Sequence, residues 1–418
     1  MSDPFSGAPF GGFDPRLFES VPLFRELAKL LRWRGGPVNW ELAGQTATAL
    51  TTGPEDSEAT SGRATAELEQ AVHVAELWLD PVTVLPAVDG PVQAYTRAEW
   101  VRLATSSGGL GTYVEPVADG MASALGKGLP GELGSTQGPM AGPLGDAMRS
   151  MGAMLYGVQI GTIAGHLAGQ LLGTYDLGLP TIDPRSVGTV GDAAFQFARD
   201  YSFHQVEFRY WLALREAVHR RMFVGVGWLQ DHLAGLIEAF ASAADFDAQT
   251  LMEQLGAMSL DPQALSDPAS MHEMLSRPEA FTLEPTAGQK AALGRLQALV
   301  ALVEAYSDTV LRAAAGEKLT TLARIEEAAR RRRAERGPGE RFLAQLIGLD
   351  LKPADFRLGQ TFCDAVIAAR GQEGLDRVWQ DPSSLPTERE LADPSVWLVR
   401  MAAREIEADL GNLDDGGQ

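Results

Sequence analysis

A mostly α-helical fold is predicted by three observations. Long stretches carry apolar residues at three- and four-residue spacings, glycine and proline gather between those stretches, and strand-like alternation is confined to 187–190 and 280–283. In chain order, FESVPLFRELAKLLR (18–32) and GRATAELEQAVHVAELWLD (62–80) are amphipathic helices, with TTGPEDSEATS as a loop between them. YTRAEWVRLAT (95–105) adds a shorter helix. The segment 107–145, containing GKGLPGELGSTQGPMAGPLG, is too rich in glycine and proline for a confident helix pattern and is expected to be a linker or a lid.

MGAMLYGVQIGTIAGHLAGQLLG (151–173) is nearly uncharged and long enough to span a bilayer. Gln159, His166 and Gln170 interrupt it, and small residues outnumber leucine and isoleucine. Small residues allow helices to approach closely. The segment is therefore expected to be a buried central helix rather than a membrane span, with His166 as a core histidine. After the turn-rich connection 173–191, helices are expected over 204–224, 226–243, 286–315, 318–336, 338–347, 353–370 and 395–409. The expected organisation is an N-terminal helical region (1–106), the linker or lid (107–145) and a helical domain (146–418) in which helices 204–224 and 286–315 cross.

The 418-residue chain has a formal net charge of −20. A field of that sign repels a nucleic-acid backbone, so no nucleic-acid partner is expected. The arginine run 330–333 reads as a solvated helix end, with a partner surface as the alternative. The single cysteine, Cys363, sits in an apolar helical pattern and reads as a buried small hydrophobe. MSDPFSGAPFGG at the start has neither a basic region nor an apolar signal core, which points to a cytoplasmic location. The residues show no G-x-S-x-G elbow, Walker motif or Rossmann fingerprint.

WLALREAVHRRMF (211–223) carries the chemistry. One helical face gathers Phe208, Trp211, Leu212, Arg215, Val218, His219 and Met222. A charge on an apolar stripe needs a partner. Glu216 lies at the edge of the same surface. The segment matches the metalloprotease pattern H-E-x-x-H except that Arg215 stands at the first histidine position. In LVALVEAYSDTVLRAA, Glu304 approaches an apolar face and Asp308 follows one turn later. Two arrangements are open on residue grounds. Zinc binds through His219 and Glu304, or the Arg215 guanidinium pairs with Glu304 and takes the electrostatic place of a metal. His204 and His232 are more distant candidate donors.

Several stretches together are similar to a family of zincin-like proteins, zinc-dependent metallopeptidases or hydrolases that are themselves uncharacterised. They are GAMLYGVQIGTIAGHLAGQLLGTYDLGLP (152–180), EFRYWLALREAVHRRMF (207–223), VGWLQDHLAGLIEAF (226–240), LVALVEAYSDTV (299–310) and GLDLKPADFRLGQTF (348–362). The resemblance implies a zincin-like helical core. It implies Glu216 as the catalytic residue with Arg215 beside it, His219 and Glu304 as metal ligands, and Asp308 as the carboxylate that orients a ligand. Some family members carry a link to coenzyme F420 biosynthesis, for which these residues supply no pocket. The cofactor expected is either none or Zn²⁺, and the partner an unidentified peptide or small-molecule substrate, with neither nucleic acid nor membrane. Three functional readings follow: a zincin-like hydrolase scaffold with a degenerate metal site and impaired or absent metallopeptidase activity; an active hydrolase using His219, Glu304 and a further donor; and a helical binding or structural protein. Replacing Arg215 by histidine is expected to raise zinc affinity.

Overall fold

The computed structural model describes residues 35–51, 53, 58–128, 141–243, 286–335, 337–349 and 351–415. The helix expected at 18–32 and the strand expected at 280–283 lie outside the described residues. Among those described, fourteen α-helices and one pair of strands make up the fold. The helices before the first half of the site are α1 (Trp40–Leu50), α2 (Gly62–Leu79), α3 (Arg97–Ala104), α4 (Gly111–Gly128), α5 (Ala141–Ala168) and α6 (Ala193–Asp200). Then come α7 (Gln205–Gly225), α8 (Leu229–Ser242) and α9 (Ala287–Ala315). The chain closes with α10 (Leu322–Ala334), α11 (Pro338–Leu346), α12 (Pro353–Asp376), α13 (Glu388–Ala392) and α14 (Pro394–Asp415).

Local chemistry sets many of the helix ends. Asn39 caps α1 through Leu42 N–H, and Ser61 caps α2 through Ala64 N–H. Thr96 with Glu99, and Thr286 with Gln289, form reciprocal capping boxes at the starts of α3 and α9. The strand expected at 187–190 is present as β2 (Val187–Val190). Its partner β1 (Val92–Tyr95) is not among the strands expected, and only Tyr95 falls within the helix expected at 95–105. The two strands run parallel, with Val92 opposite Val187 and Tyr95 opposite Val190. A parallel pair needs a long crossover, and here α3, α4 and α5 supply it.

The stretch expected as a linker or lid contains α4, with Pro116 inside it, and the first turn of α5. The helix α5 starts well before the expected position and packs along α1. A glycine stripe makes this approach possible. A Cβ on Gly157 would lie 2.6 Å from Asn39 O, and one on Gly161 would lie 2.5 Å from Ala43 O. Among the described residues no helix is long and apolar enough to cross a membrane. His166 is exposed on α5, which corrects its reading as a core histidine: the stripe facing α1 is made of glycine, and the histidine lies off it.

The helix α7 is the centre of the molecule. It packs against α2, α9, β2 and α8, and every residue from Trp211 to Phe223 is buried. The sequence pattern marked one buried face; the structure encloses 211–223 all round, while the first turn stays partly open, with Val206 exposed. The helices α7 and α9 pack together, and α12 packs on α9. Thr286 at the start of α9 donates from Oγ1 to Ala243 O at 2.8 Å, which fastens that end to the residue just past α8.

Gly161→Ala should push α1 off α5 and destabilise the protein by about 1–3 kcal/mol. Urea denaturation followed by far-UV circular dichroism checks this, and an unchanged midpoint would contradict the close-approach account.

Candidate functional site

The polar residues of REAVHRR (215–221) leave α7 in three directions. Arg220 and Arg221 turn to α2. Arg220 Nη2 meets Glu76 Oε1 at 2.7 Å, while Arg221 reaches Glu76 Oε2 and Asp80 Oδ1, each at 2.6 Å. Glu216 turns to the GTYDLGLP segment (173–180) and β2. Its Oε2 accepts from Thr174 N–H at 3.1 Å, from Gly188 N–H at 3.3 Å and from the Thr174 hydroxyl. Its Oε1 accepts from Tyr175 N–H at 3.1 Å. Burial raises the Glu216 carboxyl above its ordinary value, and the Thr174, Tyr175 and Gly188 donors oppose that rise.

Arg215 and His219 turn to α9. Arg215 Nη2 donates to both oxygens of Glu304 at 2.9 Å, and its Nη1 lies 3.7 Å from Asp308 Oδ1. His219 Nε2 lies 3.1 Å from Glu304 Oε1, and its Nδ1 lies 2.8 Å from the Arg215 carbonyl oxygen. Ser307 Oγ approaches Nδ1 at 3.3 Å, and the Tyr175 ring packs on the imidazole with centroids 5.6 Å apart. Arg215 is 3% exposed, His219 0% and Glu304 3%, so these contacts are made without water. Burial alone would raise the Glu304 carboxyl; Arg215, the His219 hydrogen bond and Arg333 outweigh it and hold the group well below its ordinary value.

A second guanidinium completes the cluster. Arg333 Nη1 donates to Glu304 Oε2 at 2.6 Å and Nη2 to Asp308 Oδ2 at 3.0 Å. Its neighbour Arg332 donates from Nη2 to Gln170 O at 2.6 Å, with Asp176 Oδ2 at 2.7 Å and Glu340 Oε1 at 3.1 Å. The arginine run therefore divides. Arg330 and Arg331 stay exposed against Glu327, while Arg332 and Arg333 enter the site. This corrects the reading of the whole run as a solvated end. Gly178 fits the remaining side of Glu304. It has φ +77°, and a Cβ there would lie 2.7 Å from Glu304 Oε1.

Of the residues singled out in the sequence, Arg215, His219, Glu304 and Asp308 come together. Glu216 does not face them: its oxygens are committed to the 174–188 backbone. His204 is exposed at the start of α7, and His232 packs edgewise on Trp228 in the next helix. Cys363 is buried, and its burial pushes the thiol up to about 12. Sequence reasoning missed Arg333, Thr174, Tyr175 and Gly178. The signals for them were the inward half of the arginine run and the GTYDLGLP stretch, which the resemblance contained without assigning a role.

In an H-E-x-x-H centre the imidazoles at i and i+4 bind the metal. Arg215 offers no lone pair and carries a permanent charge. Both nitrogens of His219 already face oxygens. Among the described residues no group of three or more His, Cys, Asp or Glu side chains is placed to hold a metal ion. The side chains as arranged do not fit zinc. Beside Glu304 is a half-open hollow with about 50 Å³ of water-sized space; Asp176, Arg332 and Arg333 line its polar end, and Leu179, Leu343, Ile347 and Phe356 its walls.

The fold is that of a mostly helical protein with α7 packed on α9 at its centre. Residues 38–398 match the family model of zincin-like metallopeptidases, and the chain belongs to that family. It is also similar to a crystal structure from Chloroflexus aurantiacus, provisionally described as a hydrolase with a novel fold, with a TM-score of 0.61 and 23% sequence identity over 87% of this chain and 99% of that one. That likeness concerns the fold. No curated protein matches the chain.

Two substitutions separate the roles of the neighbouring charges. Arg215→Ala removes one of the three partners of Glu304, leaving Arg333 and His219 in place, and should cost about 1–3 kcal/mol; equal urea midpoints for variant and wild type would contradict this. Glu216→Gln replaces an acceptor by an amide NH2 that meets backbone N–H groups, and should cost about 1–3 kcal/mol in the same measurement. A Glu216→Gln protein as stable as wild type would show that the carboxylate is not held for structure.

Proposed function

We propose that this chain is a cytoplasmic zincin-family protein whose metal site is degenerate, that it lacks zinc-dependent peptidase activity, and that it acts by binding. The observation that carries the reading is Arg215 Nη2 at 2.9 Å from both oxygens of Glu304. A charge-assisted contact of one guanidinium nitrogen with both carboxylate oxygens is stronger than a neutral hydrogen bond. It takes the carboxylate that a third zinc ligand would have to supply.

The second support is the state of Glu216. In a zinc peptidase this glutamate takes a proton from metal-bound water. Here three backbone N–H groups and the Thr174 hydroxyl use both its oxygens. The hollow beside Glu304 joins apolar residues to a few charged groups, but its 50 Å³ of water-sized space is well short of the about 300 Å³ or more of a ligand pocket, so the unidentified peptide or small molecule that the chain would bind is not assigned to it. A buried lone cysteine accords with a reducing compartment.

Metal analysis of protein purified without chelators and then loaded with zinc tests the reading. The expected outcome is far less than one zinc per chain after desalting, with no cleavage of a mixed peptide library whether or not zinc is added. One tightly held zinc per chain accompanied by chelator-sensitive peptide cleavage would overturn it.

A further inference from the structure

We propose that Arg333 is a second metal-excluding residue: with Arg215 it supplies, as two guanidinium charges, the double positive charge that a zinc ion would bring to this site. The inference rests on the reading of the site as metal-free and adds the reason why the position at 215 does not decide metal binding alone.

The carboxylates Glu304 and Asp308 face the site from successive turns of α9, and between them carry two negative charges. Arg215 and Arg333 answer them from α7 and α10. Arg215 spans both Glu304 oxygens at 2.9 Å, and Arg333 bridges Glu304 Oε2 at 2.6 Å and Asp308 Oδ2 at 3.0 Å. The Arg333 side chain is 18% exposed and that of Arg215 4%, so neither charge is freely screened by water. Each Glu304 oxygen has two partners: Oε1 has Arg215 and His219, and Oε2 has Arg215 and Arg333. A dication approaching Glu304 meets a fixed positive charge on its Oε2 side even when position 215 no longer carries one. Arg333 comes from α10, outside the motif, and its stem is held with the guanidinium 5.7 Å from the Phe356 ring centroid. Substitution at 215 alone leaves it in place.

The test compares zinc affinity, measured by competition with a chromogenic chelator, in wild type, Arg215→His and Arg215→His/Arg333→Met. Methionine keeps an apolar stem over Phe356 and removes the charge. The double variant should bind one zinc per chain, at least about tenfold more tightly than Arg215→His. Equal affinities in the two variants, or no binding by the double variant, would overturn the role of Arg333. If the zinc-free double variant is unfolded by circular dichroism, zinc-induced recovery of the helical signal supports the inference and no recovery overturns it. Tight zinc binding by wild type would instead refute the reading of the site on which the inference rests.

Discussion

The structure depends on the cost of burying α7. The stretch REAVHRR carries Arg215, Glu216, His219, Arg220 and Arg221 on a part of the helix buried on every side. Ionised groups removed from water need close partners of opposite charge. Each direction around the helix must therefore supply acids, bases or backbone donors at fixed positions. The helix α2 supplies Glu76 and Asp80, the 173–188 backbone supplies N–H groups, and α9 supplies Glu304 and Asp308. Those requirements fix how the neighbouring elements dock more narrowly than apolar contact would.

The same accounting connects the site to the fold. A zinc ion and a guanidinium pair are alternative ways to neutralise two buried carboxylates. They differ in what they leave available. A catalytic zinc keeps a coordination position open for water or substrate. A guanidinium saturates its carboxylate and offers no site for a reacting oxygen. The network around Glu304 ties α7, α9 and α10 together. Such networks lend geometric specificity more dependably than net stability, because desolvation offsets much of the attraction.

Helices α2, α7, α9 and α12 were legible because their apolar residues recur at helical spacing, and Arg215 was recognisable as a charge on an apolar stripe. The pairing of Arg215 with Glu304 was one of two arrangements the residues permitted. What escaped was written in composition or in distant partners. The helix α4 was hidden in a glycine- and proline-rich stretch and carries Pro116 in its interior, where proline disfavours helix. Arg332 and Arg333 looked like their exposed neighbours Arg330 and Arg331, because periodicity alone does not say which side of a helix end faces an acid. Glu216 matched a catalytic motif position. Only the fold brings Thr174, Tyr175 and Gly188 to its oxygens, across a separation in the chain that no local pattern reports.

The clasp between Thr286 and Ala243 has a consequence for how the protein can change. It holds the departure and return points of the intervening chain side by side, at a place remote in sequence from the Glu304 cluster. Thr286 Oγ1 also accepts the Gln289 N–H that caps α9, so one hydroxyl starts α9 and closes a carbonyl left open past the end of α8, and the two helix ends can shift only as a pair.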